Sequence, residues 1–150
     1  MDRKNIEMLK ILNKNARTPV SVIARAIGLT ENAVKYRIER LEKGGYIKGY
    51  RPSLSSKKFG KNLNVVFLIN VKPDSVVESM KILAKYRELT KVYRCAGQYS
   101  IVCVGFFSDD EHLQEFLDKK LLVEIPVTDW MEHIILKRHK NDEFNVEMVF

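Results

Sequence analysis

SVIARAIGLTENAVKYRIER, residues 21–40, holds two helical patterns on either side of a glycine. Ala24 is small enough for two helices to approach closely, and Gly28 permits the sharp turn between them. Ile23, Ile27, Leu29, Val34 and Ile38 supply apolar contacts between the two segments. This is the arrangement that a helix-turn-helix needs. Working outward, Thr18-Pro19 predicts an N-cap followed by proline at the first helical position, with Val22, Ile23, Ala26 and Ile27 on one face. Thr30 caps a third helix over 31–43, in which Val34, Ile38 and Leu41 turn inward, and Gly44-Gly45 ends it. Upstream, Ile6, Met8, Leu9, Ile11 and Leu12 recur at three- and four-residue spacing and predict a first amphipathic helix over 2–15. Residues 46–54 alternate loosely and read as a strand leaving the head, and 55–62 read as a polar connector with Gly60.

Beyond Asn64 the period changes. A strand is predicted over 65–71, then a helix over 75–88 in which Ser75 and Glu78 form a capping box and Val76, Val77, Met80, Leu83 and Ala84 face a core. Strands over 92–96 and 99–107 meet at Gly97-Gln98. A second capping box, Ser108 with Glu111, opens a helix carrying Leu113, Phe116 and Leu117, and a last strand covers 130–137. The order is βαββαβ, a ferredoxin-like arrangement, so the fold class is α+β. The expected domains are a helix-turn-helix head over 1–50, a linker strand and connector over 51–62, and the ferredoxin-like domain over 63–150. The runs VVFLINV and IVCVGFF are apolar at nearly every position, which asks for cover on both sheet faces. A homodimer packed sheet to sheet would supply it.

Charge separates the two halves. The chain holds 26 Lys and Arg against 19 Asp and Glu. Residues 1–60 contribute 14 basic and 5 acidic side chains, net +9, and residues 61–150 contribute 12 and 14, net −2. A basic head on a near-neutral body suits a polyanionic partner, here double-stranded DNA. The third helix projects Asn32, Lys35, Tyr36, Arg37, Glu39 and Arg40 from its non-core face. A recognition helix enters the major groove N-terminal residues foremost, so Glu31, Asn32, Lys35 and Tyr36 are the candidate base readers. Arg17, Thr30, Arg37, Arg40 and Lys43 are the candidate phosphate contacts.

Other chemistries find little support. Cys95 and Cys103 sit in apolar strand-like runs and read as small buried thiols rather than a disulfide. With His112, His133 and His139 they form no metal-ligand spacing, so no metal is expected. The charged, periodic N-terminus does not read as a signal peptide, and no apolar run approaches a membrane span, so a cytoplasmic protein with no membrane partner is expected.

The stretches DRKNIEMLKILNKNAR, IARAIGLTENAVKYRIERLEKGGYIKGY and AGQYSIVCV together resemble the leucine-responsive/asparagine regulator (Lrp/AsnC) family of bacterial and archaeal transcription factors. The resemblance spans essentially the whole chain. It implies a C-terminal RAM-type domain that dimerises through its sheet, often assembles into octamers, and answers an amino-acid effector. By that resemblance the effector lies near the turn Gly97-Gln98-Tyr99-Ser100 and the last strand. The family's GDYD turn reads GQYS here, so both acidic positions are absent. An amino acid presents an ammonium that wants a carboxylate, and Trp130 and Glu132 are the candidates to compensate. An exposed edge-strand charge is the alternative account of Glu132. No cofactor other than such an effector is expected.

Three other functions compete with this reading. Some haem-pathway decarboxylases resemble the same two-domain family, but the chain shows no nucleophile motif, phosphate loop or paired carboxylates, so a non-enzyme is expected. RNA binding on the sheet requires an aromatic signature that IVCVGFF does not satisfy. A pure interaction scaffold predicts no DNA retention and fails to explain the +9 head, and a DNA-organising basic protein without effector response is the alternative within the DNA-binding reading itself.

Overall fold

The computed structural model describes residues 1–140, in two compact units built on Met1–Ser53 and Leu54–His139. In the first, α1 (Arg3–Lys14), α2 (Val20–Ile27) and α3 (Glu31–Lys43) enclose Met8, Leu12, Ile23, Ala24, Ile27, Val34 and Leu41. Asp2 caps α1 by accepting from the Asn5 N–H at 2.8 Å, and Thr30 caps α3 by accepting from the Ala33 N–H at 3.3 Å. Gly28 ends α2 at φ 66°, a left-handed backbone in which a side chain would be strained, and this lets the chain reverse into α3 within three residues. The start of α2 differs from expectation. Pro19 occupies the N-cap and no side chain caps the helix, because the Thr18 hydroxyl donates instead to the Asn15 carbonyl at 2.7 Å. Val22 and Ala26, expected on the core face, are exposed.

The second unit is a four-stranded antiparallel sheet in the order β2-β3-β1-β4, from β1 (Leu63–Val71), β2 (Leu89–Arg94), β3 (Ile101–Phe107) and β4 (Val127–Ile134). Helices α4 (Val76–Leu83) and α5 (Asp110–Phe116) follow β1 and β3, which gives the expected βαββαβ order. Side chains alternate across the sheet. Val65, Phe67, Ile69 and Val71 of β1 and Ile101, Cys103 and Phe107 of β3 are buried with Val76, Leu83, Leu113 and Phe116 from the helices. Phe67, Phe107 and Phe116 pack ring against ring with centroids 5.2–5.9 Å apart. Gly105 is required by close approach, since a Cβ there would meet the Glu88 carbonyl, Leu89 and Phe107 all at 3.0 Å. The intervening residues Val66, Leu68, Val102, Val104 and Phe106 are half-buried on the opposite face, beside exposed Tyr93 and Met131.

Several boundaries differ from expectation. The segment over 46–54 forms no strand, having no ladder partner among the described residues. The expected helix over 75–88 opens with a 3-10 turn, Pro73–Ser75, so Ser75 is already helical and cannot cap; its hydroxyl lies 3.2 Å from Asp74, α4 ends at Leu83, and Val77 is exposed. Asp109, not Ser108, caps α5, because its extended backbone aims the carboxylate at the His112 N–H, 2.9 Å away. The last strand begins earlier, at Val127, and stops at Ile134. Cys103 is fully buried, which pushes its thiol up to about 12, whereas Cys95 is only half-buried; both are free. Residues 141–150 of the expected C-terminal domain lie outside the described residues.

Candidate nucleic-acid interface

Helix α3 divides cleanly. Val34 and Leu41 are buried and Ile38 half-buried against α1 and α2, while Glu31, Asn32, Lys35, Tyr36, Glu39, Arg40 and Lys43 are exposed. Residues 32, 35, 36, 39 and 43 are related by steps of three and four, so they share one solvent-facing stripe. Arg40 stands over the Tyr36 ring at 5.8 Å, which holds a cation and an aromatic side by side on that surface. Thr30 and Arg17, outside the helix, are exposed.

Arg37 is placed differently. Its guanidinium donates to Asp2 Oδ2 at 2.5 Å and to Asn5 Oδ1 at 2.9 Å, and is only 28 % exposed. The hydrogen bond from Arg37 holds the Asp2 carboxyl below the usual carboxylate range. Arg37, expected to seek phosphate, therefore ties the middle of α3 to the start of α1. Lys4 similarly reaches the Ile27 carbonyl at the end of α2. The signal that sequence reasoning missed is the parity of Arg37, which sits three residues after Val34 and four before Leu41, on the inward half of the helix.

At one end of the sheet the turn over 97–100 is pinned by Asn70. Its Nδ2 donates to the Gln98 carbonyl at 2.7 Å, and its Oδ1 accepts from the Ser100 N–H at 2.9 Å. Gly97 and Gln98 are exposed, and Tyr99 and Ser100 half-buried. Asp129 of β4 is the ladder partner of Asn70 and shares its face. The Tyr99 hydroxyl is held above its ordinary value, first by desolvation and then by the Asp129 carboxylate. Trp130 and Glu132 are not brought into this group. They pair with Ile69 and Phe67, whose side chains lie on the helix-covered face, and Trp130 packs against that core. Asp129 is thus a carboxylate beside the turn that strand parity, rather than residue type, identifies.

The winged helix-turn-helix DNA-binding family matches residues 1–48, and the Lrp/AsnC ligand binding domain matches residues 64–143. The chain belongs to the Lrp/AsnC family of transcriptional regulators. This Lrp/AsnC-family chain is 30% identical over 141 residues to an HTH-type transcriptional regulator of Methanocaldococcus jannaschii, covering 94% of this chain and 95% of that one. It is 31% identical over 140 residues to the regulator LrpA of Pyrococcus abyssi, covering 93% and 99%. Its fold is also that of a Neisseria meningitidis transcriptional regulator solved as an L-Met complex, with TM-score 0.93 at 20% identity and coverage of 100% and 99%. E. coli AsnC gives a TM-score of 0.87 at 24% identity, covering 94% of this chain and 95% of that one. No helix among the described residues is long and apolar enough to cross a membrane.

Proposed function

We propose that this chain binds a specific duplex DNA site as a homodimer and that an amino-acid effector modulates the binding. The observation that carries the first part is the division of α3. One face is locked into the head by Val34, Leu41 and the Arg37 bonds, and the other presents Asn32, Lys35, Tyr36, Glu39 and Arg40 to solvent. Asn32 and Lys35 bear the donors and acceptors that read adenine and guanine edges, and Arg40 and Lys43 meet phosphate. Arg17 and Thr30 add flanking phosphate contacts.

Dimerisation is supported by the uncovered sheet face, where Val66, Leu68, Val102, Val104 and Phe106 form a contiguous apolar surface. A dimer carries two recognition helices, and the operator should then be a pseudo-palindrome. The effector reading rests on the turn over 97–100 with Asn70 and Asp129, where backbone groups stand beside a carboxylate suited to an ammonium. The L-Met ligand named for the Neisseria regulator is consistent with that chemistry. Trp130 and Glu132 are left to structural roles.

The test is a fluorescence-anisotropy titration of labelled operator and random duplexes, with and without each common amino acid. Tighter binding to one duplex than to random sequence, altered by one class of amino acid, is expected. Equal binding to all duplexes would reject sequence readout. An affinity that no amino acid changes would reject the effector part alone.

A further inference from the structure

Between Glu42 and Asp74 the chain carries no acidic residue but seven cations. The first part of this stretch, 46–53, belongs to the head unit and is not a free tether. The Tyr46 and Ile47 N–H groups donate to the Leu41 carbonyl at 2.9 and 3.1 Å, and Ile47 packs against the head core. Three residues later the Tyr50 hydroxyl donates to Glu42 Oε1 at 2.9 Å. Glu42 follows Lys35 by seven residues and Glu39 by three, so the three occupy one row along α3. Tyr50 therefore fixes the segment beside the row that includes Lys35. Lys48 and Arg51, within two residues of Tyr50, are exposed. Among the described residues neither has an acidic or hydrogen-bonding partner, in contrast to Arg37.

We propose that this segment is a second phosphate-binding element, in which Lys48 and Arg51 contact the DNA backbone flanking the groove that α3 enters. The proposal rests on the DNA-binding reading above. Its physical basis is that two unpaired cations are held, at no cost in broken ion pairs, beside the row of α3 that carries Lys35. Phosphate binding of this kind reads no bases, and each neutralised phosphate releases counterions, so it strengthens all duplexes alike. The segment would thus set the salt sensitivity and footprint of the head while Asn32 and Lys35 set its sequence preference.

The experiment compares the full-length chain with the double variant Lys48→Ala/Arg51→Ala on operator and random duplexes over a series of salt concentrations. The slope of log affinity against log salt should flatten by about 3.6 for the dimer, near 0.9 for each of the two phosphates that each subunit no longer neutralises. The affinity should fall by the same factor on both duplexes. Tyr50→Phe, which keeps both charges but releases the tie to Glu42, should weaken both duplexes with a smaller change in slope. Lys48→Gln/Arg51→Gln is the second pair, for use if the alanines perturb folding, and it should reproduce the flattened slope. An unchanged slope in the double variants, with the wild type binding normally, would overturn the proposal. A wild type with no salt-dependent DNA binding would instead refute the reading on which it stands.

Discussion

Glu132 of β4 stands directly opposite Phe67 of β1, on the helix-covered face of the sheet. Burial pushes its carboxyl above the usual range, and the neighbouring His133 offsets this only in part. A carboxyl whose folded-state pKa is raised favours the folded state when protonated. That contribution is present below the unfolded pKa and is lost as pH rises through the folded value. Glu132→Gln should therefore stabilise the chain by a few tenths of a kcal/mol at mildly alkaline pH, after discounting for solvent screening, and by less in mild acid. Urea unfolding at the two pH values measures this, and a variant destabilised at alkaline pH would contradict it.

The bridge from Arg37 to Asp2 and Asn5 makes a different prediction. Asn caps helices as well as Asp, so Asp2→Asn keeps the cap on α1 while removing the charge that holds Arg37. If the bridge orients α3, affinity for the operator relative to random duplex should fall about two- to threefold, with the salt slope unchanged. The Asp2 carboxyl is held low by Arg37, so the wild-type bridge is present above the unfolded pKa and is lost as pH falls through the lowered value. Equal strengthening on both duplexes with a steeper slope would mean that Arg37, once freed, seeks phosphate.

On the outward face of α3 the roles separate by chemistry. Lys35→Ala or Asn32→Ala should cost ~1–3 kcal/mol at the operator and little on random DNA. Arg40→Ala should weaken all duplexes alike and flatten the salt slope by about one per subunit, roughly 1.8 for the dimer. Parallel titrations on the two duplexes distinguish these patterns, and identical behaviour of Lys35→Ala and Arg40→Ala would sink the assignment.

Val104 lies at the centre of the uncovered sheet face, opposite Val66 of β1. Val104→Asp should leave the monomer folded but place a charge in the paired faces, shifting sedimentation from a dimer, or a multiple of dimers, to a monomer. Operator affinity should fall by about a hundredfold or more as the two half-sites lose their linkage. A variant that still sediments as a dimer would locate the interface elsewhere.

Much of this is legible in the residues, and the failures share a cause. Helix α3 follows its cap, stripe and terminal glycines, and runs over 31–43 as read. The βαββαβ order of elements is as read, whereas the apolar runs of β1 and β3 do not alternate in sequence and so hide the alternating burial of their side chains. The departures arise where two nearby residues offer the same chemistry and only backbone direction decides. Ser108 and Asp109 can both cap, Glu132 and Asp129 both offer a carboxylate on β4, and Arg37 and Arg40 both read as phosphate contacts. The extended backbone of Asp109 decides the first pair, side-chain parity across the sheet or around the helix separates the other two, and a register shift between Asn70 and Val71 alters that parity near the turn. The absent strand over 46–54 is a different case. Its alternation is visible, but a strand needs a ladder partner that the described chain does not supply.

The central claim is sequence-specific recognition of DNA by a dimer, and selection of bound duplexes from a random pool at near-physiological salt, followed by sequencing, tests it most directly. The predicted result is a pseudo-palindrome whose half-sites lie about one helical turn, or a multiple of it, apart. Recovery of no shared sequence, with retention vanishing as salt rises, would contradict it and leave the basic head as a binder of charge alone.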